Sequence, residues 1–304
     1  MGTSGFGIPT LLALHEHHEV AGVVTRCDSL KGRGRKLQPS AVKPAALDLG
    51  LEVVEVENLT DPGFIGRLKE FNADIFFVAA FKILPVEVFS IPPDGTVNLH
   101  ASLLPDYRGA APINWAVING DTETGLTTFF IEETVDTGDI ILTETVAIDP
   151  DETAGELASR MKEIGAGLSL RTMEYIEKGS TPGHKQPAQG KRPAPRLFKK
   201  DGLIDWTRDA RSIHNQVRGM NPVPGAYTDW IKGPLKLHRT AIVDDTSQGN
   251  PGNIIDASPR KGPVVSCGRG SLRILELQPP GKKVMDGGSF VRGYRIETGK
   301  NMYE

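Results

Sequence analysis

Three side chains in this sequence could together move an acyl group from one nitrogen to another. Asn98 and His100 lie in NLHASLLPDYRGAAP, which runs from Asn98 to Pro112, and Asp136 lies in VDTGDI, from Val135 to Ile140. An amide donates to a developing oxyanion with no proton equilibrium of its own, and histidine carries charge or moves a proton near neutral pH. A carboxylate can hold or polarise the imidazole, or accept the attacking group's proton through water. No covalent enzyme intermediate is required. Asn and His at a buried strand end are also common structural residues, and the three types alone leave both readings open.

The surrounding pattern says what must position them. Gly95 to Leu99 is β-branched and apolar around Val97, which predicts a buried strand ending near Ala101. Side chains alternate across a strand, so Asn98 and His100 share a face at its C-terminal end. Pro105 and the Arg108-Gly109 pair break the strand, and the polar tip of a parallel sheet is where α/β enzymes keep their sites. Upstream, the pattern predicts a helix over Ile8–His15, a strand over Val20–Thr25, a basic loop over Ser29–Pro44 and a helix-strand exchange over Ala45–Val56. A helix over Pro62–Phe71 and a buried strand over Ala73–Ala80 follow, and a long helix over Ala154–Lys178 closes the domain. Strands alternating with helices indicate an α/β fold, a Rossmann-like, doubly wound, mostly parallel sheet spanning residues 1–178. Gly2, Gly5 and Gly7 do not have GxGxxG spacing and read as a tight strand-to-helix turn.

Residues 179–200 are rich in Pro, Gly and Lys, contain no acid and have neither period, which reads as a linker with polyproline character. Residues 201–304 begin with a helix over Thr207–Arg218. Short strands follow near Ala226–Ile231, Leu235–Val243, Gly252–Asp256, Val264–Cys267 and Ser271–Gln278, the interval expected of a small β-barrel.

The 304 residues carry a net charge of -3 that hides an imbalance. Residues 1–177 hold 13 Lys+Arg against 27 Asp+Glu, whereas residues 178–304 hold 22 against 11, a split of -14 and +11. A polyanion partner for the C-terminal part follows from the asymmetry, as does a plain solvated linker beside an acidic domain. Lys31, Arg33, Arg35, Lys36 and Lys43 crowd a stretch with no acid between Asp28 and Asp48. That concentration suits approaching phosphates. Cys27 and Cys267 are too far apart in sequence for a metal motif and read as structural thiols. His15, His18 and Glu19 sit at a polar helix end, and with no ligand from another element no metal is expected. No apolar run approaches the ~18 residues of a membrane helix and no signal peptide is evident, so a cytoplasmic protein with no membrane association is expected.

The order and spacing of Asn98, His100, Ser102–Pro105, Arg108–Pro112 and Asp136–Asp139 resemble the signature of folate-dependent formyltransferases, most closely the branch acting on methionyl-tRNA. The likeness extends to KGRGRKLQPSAVKP (Lys31 to Pro44), AAFKILP (Ala79 to Pro85), IDW (Ile204 to Trp206), NPVPGAY (Asn221 to Tyr227) and LQPPGKK (Leu277 to Lys283), nearly the whole chain. It implies an OB-like C-terminal barrel that binds tRNA, and 10-formyltetrahydrofolate as a co-substrate with no tightly bound cofactor. It also implies catalysis by Asn98, His100 and Asp136, with the backbones of Phe81, Lys82, Leu84, Ser102, Leu103, Leu104 and Pro105 cradling the folate. Initiator methionyl-tRNA would meet Arg33, Arg35 and Lys36 on one side and Lys191, Arg192, Lys199 and Lys200, beside Arg196, on the other. A monomer that does not bind DNA is expected. A sugar-nucleotide or glycinamide-ribotide formyltransferase, a 10-formyltetrahydrofolate hydrolase and a non-catalytic RNA-binding module are the competing readings. In the family an apolar strand precedes the glycine turn that is Gly2-Thr3 here, and its loss would expose apolar surface and unpaired backbone. An earlier start to the reading frame is therefore expected.

Overall fold

The computed structural model describes residues 1–31, 36–179, 183–187, 190, 192–247 and 249–303. Its elements in chain order are α1 (Ile8–His17), β1 (Val23–Arg26), β2 (Ser29–Lys31), β3 (Lys36–Gln38), α2 (Val42–Asp48), β4 (Val53–Val56), α3 (Pro62–Glu70), β5 (Phe76–Ala79), α4 (Val86–Phe89), β6 (Thr96–His100), β7 (Arg108–Gly109), α5 (Pro112–Ile118), β8 (Glu123–Phe130), β9 (Ile140–Ala147) and α6 (Ala154–Glu177). There follow β10 (Pro193–Ala194), α7 (Ala210–Gly219), β11 (Ala226–Thr228), β12 (Leu235–Asp244), β13 (Ile254–Ser258), β14 (Gly262–Ser266), β15 (Ser271–Gln278), β16 (Met285–Asp286) and α8 (Gly287–Tyr294).

The chain divides into two compact units. The first holds Met1–Ala110, Thr124–Val146 and Ala158–Ala194; the second holds Ala111–Glu123, Ala147–Leu157 and Pro195–Glu304. The expected division into 1–178, 179–200 and 201–304 runs along the sequence, whereas packing cuts across it. The part of the expected linker up to Ala194 joins the first unit, because His184 bridges Ile140 and β10 pairs in parallel with β7.

In the first unit β1 pairs β4 and β5 pairs β6, both in parallel, while β6 pairs β8 antiparallel and β9 follows at the edge. The expected mostly parallel sheet is thus a mixed one. Met1 and Gly2 lie between the two parallel ladders. The Gly2 N–H donates to the Val24 carbonyl at 3.0 Å, the Met1 carbonyl accepts from the Ala79 N–H at 3.0 Å, and the Met1 amine donates to the Phe77 carbonyl at 2.6 Å. Beyond Met1, a cavity of about 640 Å³ is lined by Val23, Leu68, Phe71, Phe76 and Phe77 among others. Burial holds the Met1 amine down to about 5.

Strand β6 is fixed by its apolar face. Val97 and Leu99 are buried, and Leu99 packs at Gly165 of α6, where an added Cβ would come within 2.9 Å of its side chain. Asn98 and His100 alternate onto the other face. Helix α6 begins at a reciprocal cap: the Thr153 N–H donates to Glu156 Oε2 at 3.0 Å and the Glu156 N–H to Thr153 Oγ1 at 3.3 Å. Helix α7 begins at Ala210 rather than Thr207 because the Asp209 carboxylate caps the Ser212 N–H.

The second unit packs α7 and α8 with an antiparallel sheet of order β11-β12-β15-β14-β13, to which β16 adds beside β15. Its core gathers Trp206, Ile213, Leu235, Leu237, Leu272 and Phe290. Among the described residues no ladder joins β11 to β13, so the expected barrel is not closed.

Candidate active site

The parallel partner β5 and the antiparallel partner β8 hold β6 from both sides as it delivers His100 to the sheet tip. The imidazole is 7% exposed and meets Phe129 edge-on, with centroids 6.4 Å apart. Its Nε2 lies 2.9 Å from the Tyr107 carbonyl oxygen. A carbonyl only accepts, so Nε2 carries the ring proton and Nδ1 is left to face the site. Opposite Nδ1, at 3.8 Å, stands Oδ2 of Asp136, whose side chain is 12% exposed. That separation is too long for a hydrogen bond but short for a Coulombic contact.

The Asp136 backbone takes φ +56, which a non-glycine residue adopts only where its surroundings demand it. The Gly109 N–H holds Oδ2 at 2.9 Å. Gly109 itself has φ +123, and a Cβ there would sit 2.5 Å from the Ala194 carbonyl oxygen, so only glycine allows the chain to pass. Two residues after Asp136, a Cβ on Gly138 would lie 1.7 Å from the Phe130 carbonyl oxygen. The Asp136 carboxylate is therefore set by two close backbone passages. Asn98 sits on the same face of β6 as His100, and its carboxamide has no hydrogen-bond partner among the described residues.

The residues expected to receive folate flank this tip. Phe81 packs on the core of Phe64, Leu68 and Val78, Leu84 is buried in it, and Lys82 donates to the Glu57 carbonyl at 2.8 Å. Ile83 between them is 72% exposed. Leu84 therefore offers backbone to a ligand and no side chain. Ser102 is buried, donating to the Asp106 carbonyl at 2.7 Å, and the Leu104 N–H donates to Thr127 Oγ1 at 3.2 Å. Leu103 and Pro105 are partly exposed on the same turn.

Of the basic residues, Arg33, Arg35 and Lys191 lie outside the described residues, and Lys36 is described only as part of β3. Lys43 is neutralised by Asp28 at 2.9 Å and Glu55 at 2.7 Å, and its hydrogen bond keeps the Asp28 carboxyl below the ordinary carboxylate range. Lys199 and Lys200 are exposed on a helical turn, with Lys199 Nζ 6.0 Å from the centre of the Tyr227 ring. Arg192 turns to Tyr107, donating from Nη1 to its hydroxyl at 2.9 Å. Tyr107 and Gln186, whose amide ties Arg108 to the Gly138 carbonyl, are site residues that sequence reasoning did not single out. The RGAAP run, Arg108 to Pro112, was the signal for Gly109. Among the described residues no group of three or more His, Cys, Asp or Glu could hold a metal, and His18 is taken by Glu177 at 3.1 Å. No described helix is long and apolar enough to cross a membrane.

The family model described as formyl transferase matches residues 7–172, and that of the formyl transferase C-terminal domain matches residues 196–295. The methionyl-tRNA formyltransferase of Symbiobacterium thermophilum is 44% identical over 302 residues, 98% of this chain and 93% of that protein. That of Clostridioides difficile is 44% identical over 98% of this chain and 97% of its own. Among solved structures, WlaRD, a sugar 3N-formyl transferase in the presence of dTDP and 5-N-formyl-THF, superposes with a TM-score of 0.67 at 21% identity, covering 93% of this chain and 97% of that one. HypX from Aquifex aeolicus in complex with tetrahydrofolic acid gives 0.58 at 18% identity, over 81% of this chain and 44% of that one. These two likenesses concern the fold. With both regions matched and full-length relatives at this identity, the chain belongs to the formyl transferase family, among the methionyl-tRNA formyltransferases.

Proposed function

We propose that the protein transfers the formyl group of 10-formyltetrahydrofolate to the methionyl amino group of initiator methionyl-tRNA, giving N-formylmethionyl-tRNA for translation initiation, with Asn98, His100 and Asp136 as its catalytic residues. The observation that carries the chemical assignment is the pairing of His100 Nδ1 with a backbone-held Asp136 Oδ2, while Nε2 is committed to the Tyr107 carbonyl.

The neutral amine attacks the formyl carbon, the new C–N bond forms, and negative charge develops on the formyl oxygen. Asn98 donates to that oxygen through its carboxamide, and protonated His100 does so from Nδ1. Asp136 stabilises the ring's positive charge across the 3.8 Å gap and takes the proton the amine must lose. The bond to N10 then breaks and the proton is returned to N10, so the enzyme ends as it began. Folate acts as a co-substrate. The turns of Phe81, Lys82 and Leu84 and of Ser102–Pro105 hold it through backbone groups, and Phe81 and Ile83 supply apolar contact. The basic residues Arg33, Arg35, Lys36, Lys191, Lys199 and Lys200 meet the RNA, and the second unit, read as an OB-like fold, presents part of that surface. The enzyme works as a cytoplasmic monomer with no DNA or membrane partner.

Single-turnover transfer of labelled formyl to charged initiator tRNA tests this reading, run beside elongator methionyl-tRNA and a control without RNA. Label on the initiator species alone is expected. Formate released without RNA would establish a hydrolase, and label on an amino sugar nucleotide but not on RNA would establish the smaller-acceptor reaction.

A further inference from the structure

The end of the expected linker reaches the catalytic pair. Tyr107 is buried and has φ +62, a left-handed conformation that a bulky aromatic residue holds only under constraint. Arg192 supplies that constraint through both backbone and side chain. The Tyr107 N–H donates to the Arg192 carbonyl at 2.6 Å, Arg192 Nη1 donates to the Tyr107 hydroxyl at 2.9 Å, and the guanidinium lies 5.7 Å from the centre of the phenol ring. The Tyr107 carbonyl is the group that commits His100 Nε2.

The two residues after Arg192 continue the constraint. Pro193 and Ala194 pair in parallel with Arg108 and Gly109, and the Gly109 N–H fixes Asp136 Oδ2. One three-residue strap thus sets the acceptor that orients the imidazole and the donor that orients the carboxylate. Resting on the catalytic reading of His100 and Asp136, we propose that Arg192 is a positioning residue for that pair, acting through Tyr107, and not a phosphate ligand. An exposed arginine in a basic linker suggests RNA by composition, but its Nη1 is committed to a tyrosine whose backbone the chemistry needs. A peptide plane tilted at Tyr107 would rotate the imidazole away from Asp136 and leave the RNA-facing lysines untouched.

The test compares Arg192→Met, Arg192→Gln, Tyr107→Phe and the Met/Phe double variant in single-turnover formyl transfer, with the KM for tRNA measured separately. Wild type and His100→Ala are the controls. Loss of the charged hydrogen bond in Arg192→Met is expected to slow transfer about tenfold with the KM for tRNA within about twofold. Arg192→Gln keeps a donor for the tyrosine without the charge and is expected to recover most of the rate. Tyr107→Phe is expected to slow transfer similarly, and the double variant to be no slower than the worse single one, because both remove the same hydrogen bond. A raised and salt-sensitive KM with an unchanged rate overturns the proposal in favour of an RNA-binding role, as do additive effects in the double variant. If Arg192→Met does not fold, the Gln and Phe variants carry the comparison. An inactive wild type, or an unimpaired His100→Ala, removes the catalytic reading itself, an outcome distinct from normal rates in the Arg192 variants alone.

Discussion

Replacing Asp136 by Asn removes one charge while keeping an oxygen that can still accept from the Gly109 N–H. Two unit charges 3.8 Å apart attract by about 4 kcal/mol at an effective dielectric of about 20. Both side chains are nearly enclosed, 7% and 12% exposed, so solvent screening reduces this only modestly. The attraction counts toward rate only as far as positive charge on the ring is greater in the transition state than in the bound ground state. At about 1.4 kcal/mol per tenfold, the full value corresponds to about a thousandfold, and half of it to about thirtyfold. A fall of between about thirtyfold and a thousandfold in the single-turnover rate is expected. Asp136→Ala also leaves the Gly109 N–H without its acceptor, at a cost of about 1 kcal/mol in stability. Rapid-quench measurement of labelled formyl transfer at saturating tRNA gives the rate, and filter binding gives the affinity for tRNA, which is expected to change less than twofold. An Asn variant within threefold of wild type, with the carboxamide shown in place, refutes the electrostatic role. A loss confined to tRNA affinity refutes the placement of Asp136 at the chemistry.

Lys200→Ala and Lys199→Ala should each lower affinity for tRNA and flatten the dependence of log K on log salt by about 0.7 to 0.9 for each phosphate no longer neutralised, read by filter binding between low and physiological salt; parallel salt plots would exclude them from the interface. Burial, reinforced by Asp209, pushes the Cys267 thiol up to about 12 from its ordinary 9.0. The folded state keeps this proton while the unfolded chain loses it, so stability is full below pH 9 and declines by about 1.4 kcal/mol per unit as pH rises through the window from 9 to 12. Urea unfolding of wild type and Cys267→Ala at a series of alkaline pH values should therefore show the gap between them changing with that slope, and a constant gap would show the thiol to be accessible.

The period-two run around Val97, with polar residues at 98 and 100, sufficed to place Asn98 and His100 on one face of a strand, because pleat alternation is local geometry. Helix α6 was legible from the apolar pattern of its residues for the same reason. Strands β8 and β9 and helices α5 and α8 escaped the pattern reading. Their residues divide between the two units or pack on partners distant in sequence, and period does not encode such partners.

Residue types and order alone therefore determined the strand, the turn that ends it, the chemistry its side chains could perform and the charge asymmetry between the two halves. The tertiary structure decided which groups meet. Asp136 comes within 3.8 Å of His100 because Gly109 and Gly138 let backbones pass where no Cβ fits. Arg192, in a stretch without period, turns to Tyr107 because β10 finds its partner in β7. Such pairings join residues far apart in the chain, and their geometry depends on the packing of everything between, which no local window of the sequence contains.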